Sequence, residues 1–280
     1  MPYEKLDRPE SLSWIFKSLP STAAPIEPTG AHDLFWLMAD GMRLASRIYE
    51  ADTLGAPMIL YFHGRGDSLA ACDAVASGYT GAGLHFTAAS YRGYDASEGT
   101  PTVAAMFADG ERIFDHLLAW RRARGHDGAL LIMGRSLGSA AAIDLCLKRQ
   151  KDFKGLIIIS GFGDTLALMA HAGIAPPADG MTEADGFGNC QKIAHISLPT
   201  LILHGARDQT VPPPLAEKLQ AASGARNKQF LLVPGADHKT LISQAGPLYF
   251  QTIKRFVDGI TGVGERRVSR RVLKNQGQGQ

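Results

Sequence analysis

Ser136 stands at the centre of Gly134-Arg135-Ser136-Leu137-Gly138. An apolar run, Ala129 to Met133, precedes it, and a small-residue helical pattern, Ser139 to Ile143, follows. The pattern predicts a strand, a sharp turn and a helix, with the serine at the apex of the turn. Such a turn holds its serine in a strained backbone conformation. Glycines two residues to either side leave room where a Cβ would strike the neighbouring strand or helix. The hydroxyl then stands clear of the sheet, and the N–H groups of the helix start point toward it. This is the placement of a nucleophile.

A serine hydroxyl is inert until a base takes its proton and an acid orients that base. Asp208 follows the apolar strand Leu201–His204, and His238 follows the strand Phe230–Val233. Both fall on loops at the carboxyl ends of strands, where ligand sites of open α/β sheets lie. Asp164, shortly after the strand Leu156–Ser160, is a rival for the acid. Asp237 is expected to be solvated. Acyl transfer also develops an oxyanion that needs preorganised N–H donors. Leu137, directly after the nucleophile, should supply one. The loop His63-Gly64-Arg65-Gly66, after the strand ending at Phe62, should supply the other from Arg65, with Gly64 and Gly66 letting the backbone approach. His63 and His204 each begin a His-Gly pair and are expected to make structural hydrogen bonds.

The elements that must position these groups follow from periodicity. Leu34–Met38 and Arg43–Tyr49 flank the hairpin signal Asp40-Gly41. Ala56–Phe62 is a continuous apolar run, the pattern of a strand buried on both faces. Then strands and helices alternate: a weak helix Leu69–Gly81, strand Leu84–Tyr91, strong helix Val103–Arg124, the strand before Ser136, helix Leu137–Arg149 and strand Leu156–Ser160. The last two strands enclose the helix Leu215–Ala222, and Leu241–Gly259 reads as one closing helix. The expected fold is α/β: a mostly parallel twisted sheet of about eight strands with helices on both faces. Residues 1–33 form a lead segment and 34–262 the main domain. Residues 161–197 interrupt the alternation and read as a small cap, a frequent use of long insertions at a sheet edge. Phe162, Leu166, Met169 and Phe187 of the cap, with Tyr94 nearby, are candidate substrate contacts.

Of 280 residues, 45% are hydrophobic and 20% charged, which suits a globular chain with a sizeable core. The net charge of +2 is uneven: from Glu265 onward five cations face one anion, so that tail carries +4 and the rest −2. A near-neutral body gives no sign of a nucleic-acid partner. Residues 263–280 read as a basic, Gln-rich disordered tail. The three cysteines have no metal-ligand or C-x-x-C spacing, and the remaining histidines share no metal spacing. With no signal-peptide pattern, the expected compartment is the reducing cytoplasm. Leu12, Trp14, Ile15, Phe16 and Leu19 form a short amphipathic pattern, too short for a transmembrane segment, that is expected to dock on the body.

Serine, acid and histidine occur here in the order found in the α/β-hydrolases. Tyr91-Arg92-Gly93-Tyr94-Asp95-Ala96-Ser97-Glu98-Gly99-Thr100-Pro101 resembles the Y-R-G-Y-G-x-S-x-G-x-P stretch of the serine-peptidase-like, abhydrolase-domain branch, with Asp95 where that branch usually has glycine. From about Leu34 to Gly259 the chain resembles that superfamily. The resemblance implies the α/β-hydrolase fold and a serine hydrolase of esters, thioesters or amides, acting on a small-molecule acyl substrate with no metal or organic cofactor. The expected triad is Ser136, Asp208 and His238. The alternatives are an aminopeptidase-like amide hydrolase or an acyltransferase on the same triad, and a non-catalytic binding protein on the same fold.

Overall fold

A computed structural model describes residues 3–17 and 31–262. Its eight strands are β1 (Ala31–Leu37), β2 (Arg43–Tyr49), β3 (Met58–Phe62), β4 (His85–Ala89), β5 (Leu130–Arg135), β6 (Leu156–Ile159), β7 (Thr200–Gly205) and β8 (Lys228–Val233). They form one sheet in the order β1-β2-β4-β3-β5-β6-β7-β8. The first two strands run antiparallel to their neighbours, and all later pairs are parallel. Register aligns the carboxyl ends: Phe62 pairs with Gly134, Arg135 with Ile159, and Gly205 with Val233. The loops carrying His63, Ser136, Asp208 and His238 therefore all leave one edge.

The helices are α1 (Pro9–Ile15), α2 (Leu69–Gly81), α3 (Val103–Arg124), α4 (Leu137–Lys148), α5 (Thr165–His171), α6 (Asn189–Ala194), α7 (Pro213–Ala222), α8 (Leu241–Ala245) and α9 (Pro247–Thr261). Period-two alternation splits the core into two layers. Met58, Leu60, Phe62 and Ile132 pack on one face with Phe114 of α3 and Ile143 of α4. Ile59, Tyr61, Leu131 and Met133 pack on the other with Tyr79 of α2 and Ile253 and Phe256 of α9. Burial on both faces explains why these strands read as continuous apolar runs.

Local chemistry sets the helix ends. Ser68 caps α2 by accepting from Ala71 N at 3.2 Å, and Thr102 caps α3 by accepting from Ala105 N at 3.0 Å. Gly125 closes α3 at φ 74°, after Arg121, Arg122 and Arg124 have placed cations in its last turn. The closing helix expected over 241–259 is two helices. Gly246 takes φ 53°, ψ −137°, and Pro247, lacking an N–H, starts α9. A residue before proline is driven out of the helical region, so the break falls there.

The segment 3–17 docks on the body, burying Leu6, Ile15 and Phe16. Asp7 accepts from Val103 N at 2.5 Å and Ala104 N at 3.2 Å, placing a carboxylate at the amino end of α3. Between β6 and β7 lie α5, a short 3₁₀ turn Glu183–Asp185 and α6. The proline-rich stretch before β1 and the basic tail lie outside the described residues. Among the described residues no helix is long and apolar enough to cross a membrane.

Candidate active site

Ser136 sits at φ 51°, ψ −119°, outside the regions open to ordinary residues, and leads straight into α4. The turn is held from several sides. Ser136 N donates to Ile159 O at 2.9 Å, and Ser139 donates to Ser136 O through its hydroxyl at 2.6 Å and its N–H at 2.9 Å. A Cβ on Gly138 would strike the Phe62 carbonyl, and one on Gly134 would strike the Gly138 carbonyl. Only glycine fits at either place.

Asp208 is fully buried and uses both carboxylate oxygens. Oδ1 accepts from Thr210 N at 2.9 Å and Val211 N at 2.8 Å, while Oδ2 accepts from His238 Nδ1 at 2.7 Å. Burial alone would raise this carboxyl, but the imidazole bond and the Val211 N–H overcome it and hold Asp208 below its ordinary value. A proton on Nδ1, donated to Asp208, leaves Nε2 of His238 as the acceptor nitrogen. The rival Asp164 pairs with Lys218 of α7 instead. Asp237 accepts instead from Lys239 N and Thr240 N, both at 2.8 Å.

Arg135, beside the serine, ties three loops together. Its Nη2 donates to the His238 carbonyl at 2.6 Å, and its Nη1 pairs with Asp67 Oδ2. The same Asp67 oxygen accepts from Gly64 N at 3.0 Å. Burial would raise Asp67, yet Arg135 holds it below the usual carboxylate range. Gly64 is needed for closeness: a Cβ there would lie 3.3 Å from Ser136 Cβ and 2.8 Å from Asp67 Oδ2. Gly66 is not, since a Cβ there meets nothing within 4 Å. His63 and His204 are buried, bonded to the carbonyls of Gly64 and Val211 at 2.8 Å each, and burial lowers both below the ordinary histidine value. Asp95 takes φ 50°, a region that suits the glycine usual there. Its carboxylate accepts from Leu69 N at 2.9 Å and Ser90 Oγ at 2.6 Å, joining the start of α2 to the end of β4.

A cavity of about 530 Å³ opens at this edge. Leu137, Arg65 and His238 line it, as do Phe162 and Phe187 of the segment between β6 and β7. Three other expected contacts, Tyr94, Met169 and Leu166, do not. Tyr94 is buried beneath the loop, where its hydroxyl donates to Arg65 O at 3.1 Å and accepts from Lys17 N at 2.7 Å. Met169 is buried, and it is Leu168 and His171, one helical turn apart on α5, that face the cavity; Leu166 does not line it. Sequence reasoning missed Trp14, Ile15 and Lys17, along with Gln209, Thr210, Val211 and Lys239. The last four flank Asp208 and His238, so their nearness in sequence was an available signal. Among the described residues no cluster of three metal-ligating side chains occurs.

The chain is similar to known proteins in sequence and in fold. The family model described as serine aminopeptidase, S33 matches residues 56–176 and 184–244. The chain is 28% identical over 275 residues to the alpha/beta hydrolase domain-containing protein WAV2 of Arabidopsis thaliana, spanning 91% of this chain and 87% of that one. It is 30% identical over 211 residues to the lysophosphatidylserine lipase ABHD12 of Rattus norvegicus, spanning 66% of this chain and 50% of that one. The solved structure of the Pyrococcus furiosus esterase Pf2001 superposes with a TM-score of 0.67 at 15% identity, covering 82% of this chain and 93% of the other. This chain is an α/β-hydrolase enzyme and belongs to the serine aminopeptidase S33 family.

Proposed function

We propose that the protein is a serine hydrolase that cleaves a carboxylic ester or thioester through an acyl-enzyme. The observation that carries this reading is that one cavity is lined both by Leu137, directly after the elbow serine, and by His238, whose Nδ1 is already engaged by Asp208. In the first half-reaction Ser136 Oγ attacks the carbonyl carbon and its proton passes to His238 Nε2. The N–H groups of Leu137 and Arg65 stabilise the oxyanion, and the proton then moves to the departing alcohol or thiol. In the second, water attacks the acyl-serine, loses a proton to His238, and releases the carboxylic acid with Ser136 regenerated. Asp208 holds the imidazole in the required tautomer and stabilises it when charged.

Leucine and phenylalanine side chains in the cavity support an apolar acyl group, with the segment 161–197 acting as its cap. The names of the rat relative and the archaeal neighbour favour esters. The description of the S33 family favours a second reading, amide hydrolysis of the aminopeptidase type. Cys72, Cys146 and Cys190 are free thiols, which supports a cytoplasmic location.

The test is turnover of p-nitrophenyl acetate by Ser136→Ala. The expected loss is on the order of 10⁶-fold in kcat. A variant that keeps most of its rate would remove Ser136 from the mechanism. A p-nitroanilide of an amino acid in the same assay separates the amide reading, which requires it to be the better substrate.

A further inference from the structure

We infer that the amino-terminal segment, residues 3–17, is part of the substrate site, with Trp14 and Ile15 forming a wall of the acyl pocket that limits acyl chain length. The inference deepens the ester-hydrolase reading and rests on it for the identity of the ligand as an acyl group. Trp14 and Ile15 line the same cavity as Leu137 and His238. They come from outside the residues that the family model covers, which begin at 56.

Two sets of bonds fix the segment in place. Arg8 grips both carboxylate oxygens of Asp179 at 2.7 and 2.8 Å, Lys5 reaches Asp185 at 3.3 Å, and Lys192 donates to Tyr3 Oη at 2.9 Å, so the segment is tied to the region above the sheet edge. The second set reaches the oxyanion loop. Arg65 Nη1 donates to Trp14 O at 2.5 Å, and Lys17 N donates to Tyr94 Oη, which in turn donates to Arg65 O. Arg65, whose own N–H is the proposed oxyanion donor, is thus bonded at side chain and carbonyl to groups that the segment positions. A wall held this firmly excludes chains that need more room, because close-packed surroundings yield little.

Two measurements test the assignment. Trp14→Ala opens the wall, and each methylene newly buried is worth about fourfold. Room for about two more raises the ratio of kcat/KM for p-nitrophenyl laurate over p-nitrophenyl butyrate by about fifteenfold, while Trp14→Phe stays near wild type. Partial unfolding lowers the rate on both esters alike and cancels in the ratio, which reports the folded molecules alone, so an unchanged ratio overturns the assignment. The second measurement needs no turnover. The chain has three tryptophans. Trp36 stacks on His116 and Trp120 on His126, and neither lines the cavity. Bromoundecanoate, a heavy-atom quencher of acyl shape, should quench wild-type tryptophan fluorescence and lose most of that quenching in Trp14→Phe. Equal quenching in both overturns the assignment. Quenching of wild type without hydrolysis of any ester would leave the wall standing and refute the ester-hydrolase reading instead.

Discussion

Replacing Arg135 by methionine is the most informative perturbation of the site that leaves the proposed triad itself untouched. The side chains of Arg135 and Asp67 are 15% and 24% exposed, so both charges lie largely out of water. Removing one member of a fully buried pair costs about 3–5 kcal/mol, and the residual exposure here brings that to about 2–3 kcal/mol. For a chain of this size that is a fall in Tm of about 4–6 °C. Stability is only half of the effect. The His238 carbonyl loses its donor, and the Gly64 N–H is left donating to a carboxylate that has lost its cation. A shift of about 1 Å in a catalytic group can cost up to about 10²-fold, so kcat/KM should fall ten- to a hundredfold, mostly in kcat. Arg135→Lys keeps the charge without the planar fork and should recover more Tm than activity. Asp67→Asn combined with Arg135→Met should be less destabilising than the sum of the single changes, since it leaves no unpaired carboxylate. The pH sign follows from the depressed Asp67. Its contribution is complete above about pH 4, the ordinary aspartate value, and is lost as pH falls through its lower folded value. The difference in stability between wild type and Arg135→Met therefore shrinks in acid. Thermal denaturation and ester kinetics decide the matter. A methionine variant within 1 °C and twofold of wild type would refute the reasoning.

Other outcomes follow from the same contacts. Asp208→Asn keeps the shape but favours the wrong imidazole tautomer, and should lower kcat by about 10⁴-fold with little change in KM, read from steady-state ester kinetics. His63, His85 and His204 are buried, and burial lowers each below its ordinary value despite hydrogen bonds that favour the charged form. Their unfolded forms take up protons as pH drops through about 6.5 while the folded forms resist. Stability should therefore fall below that pH by up to about 1.4 kcal/mol per unit for each histidine, and urea midpoints that stay flat from pH 7.5 to 5.5 would contradict this.

The parts of this molecule legible in the sequence are those governed by local pattern. Strand β2 and helices α2 and α3 begin and end at the expected residues, because the hairpin signal, Ser68, Thr102 and Gly125 are punctuation that acts within a few residues. The meeting of Asp208 with His238 was legible too, because both follow apolar strands that pair in parallel register. What escaped was set by distant contacts. No local signal says that Arg135 reaches both Asp67 and the His238 carbonyl, or that residues 14–17 cross to the mouth of the cavity. The orientation of α5 escaped for a related reason. A helix of seven residues carries too few apolar positions to fix its facing, so Leu168 was passed over for Met169 and Leu166. Pro247 was a visible signal, and reading it would have split the closing helix correctly.

The central claim is that Ser136 is a nucleophile activated by its neighbours, and a fluorophosphonate probe tests it most directly. Peptide mapping by mass spectrometry should find the phosphonyl group on Ser136 alone, absent from Ser136→Ala and formed at least about a hundredfold more slowly in His238→Ala. A folded wild-type protein that takes up no label, or takes it up on another residue, would contradict the account.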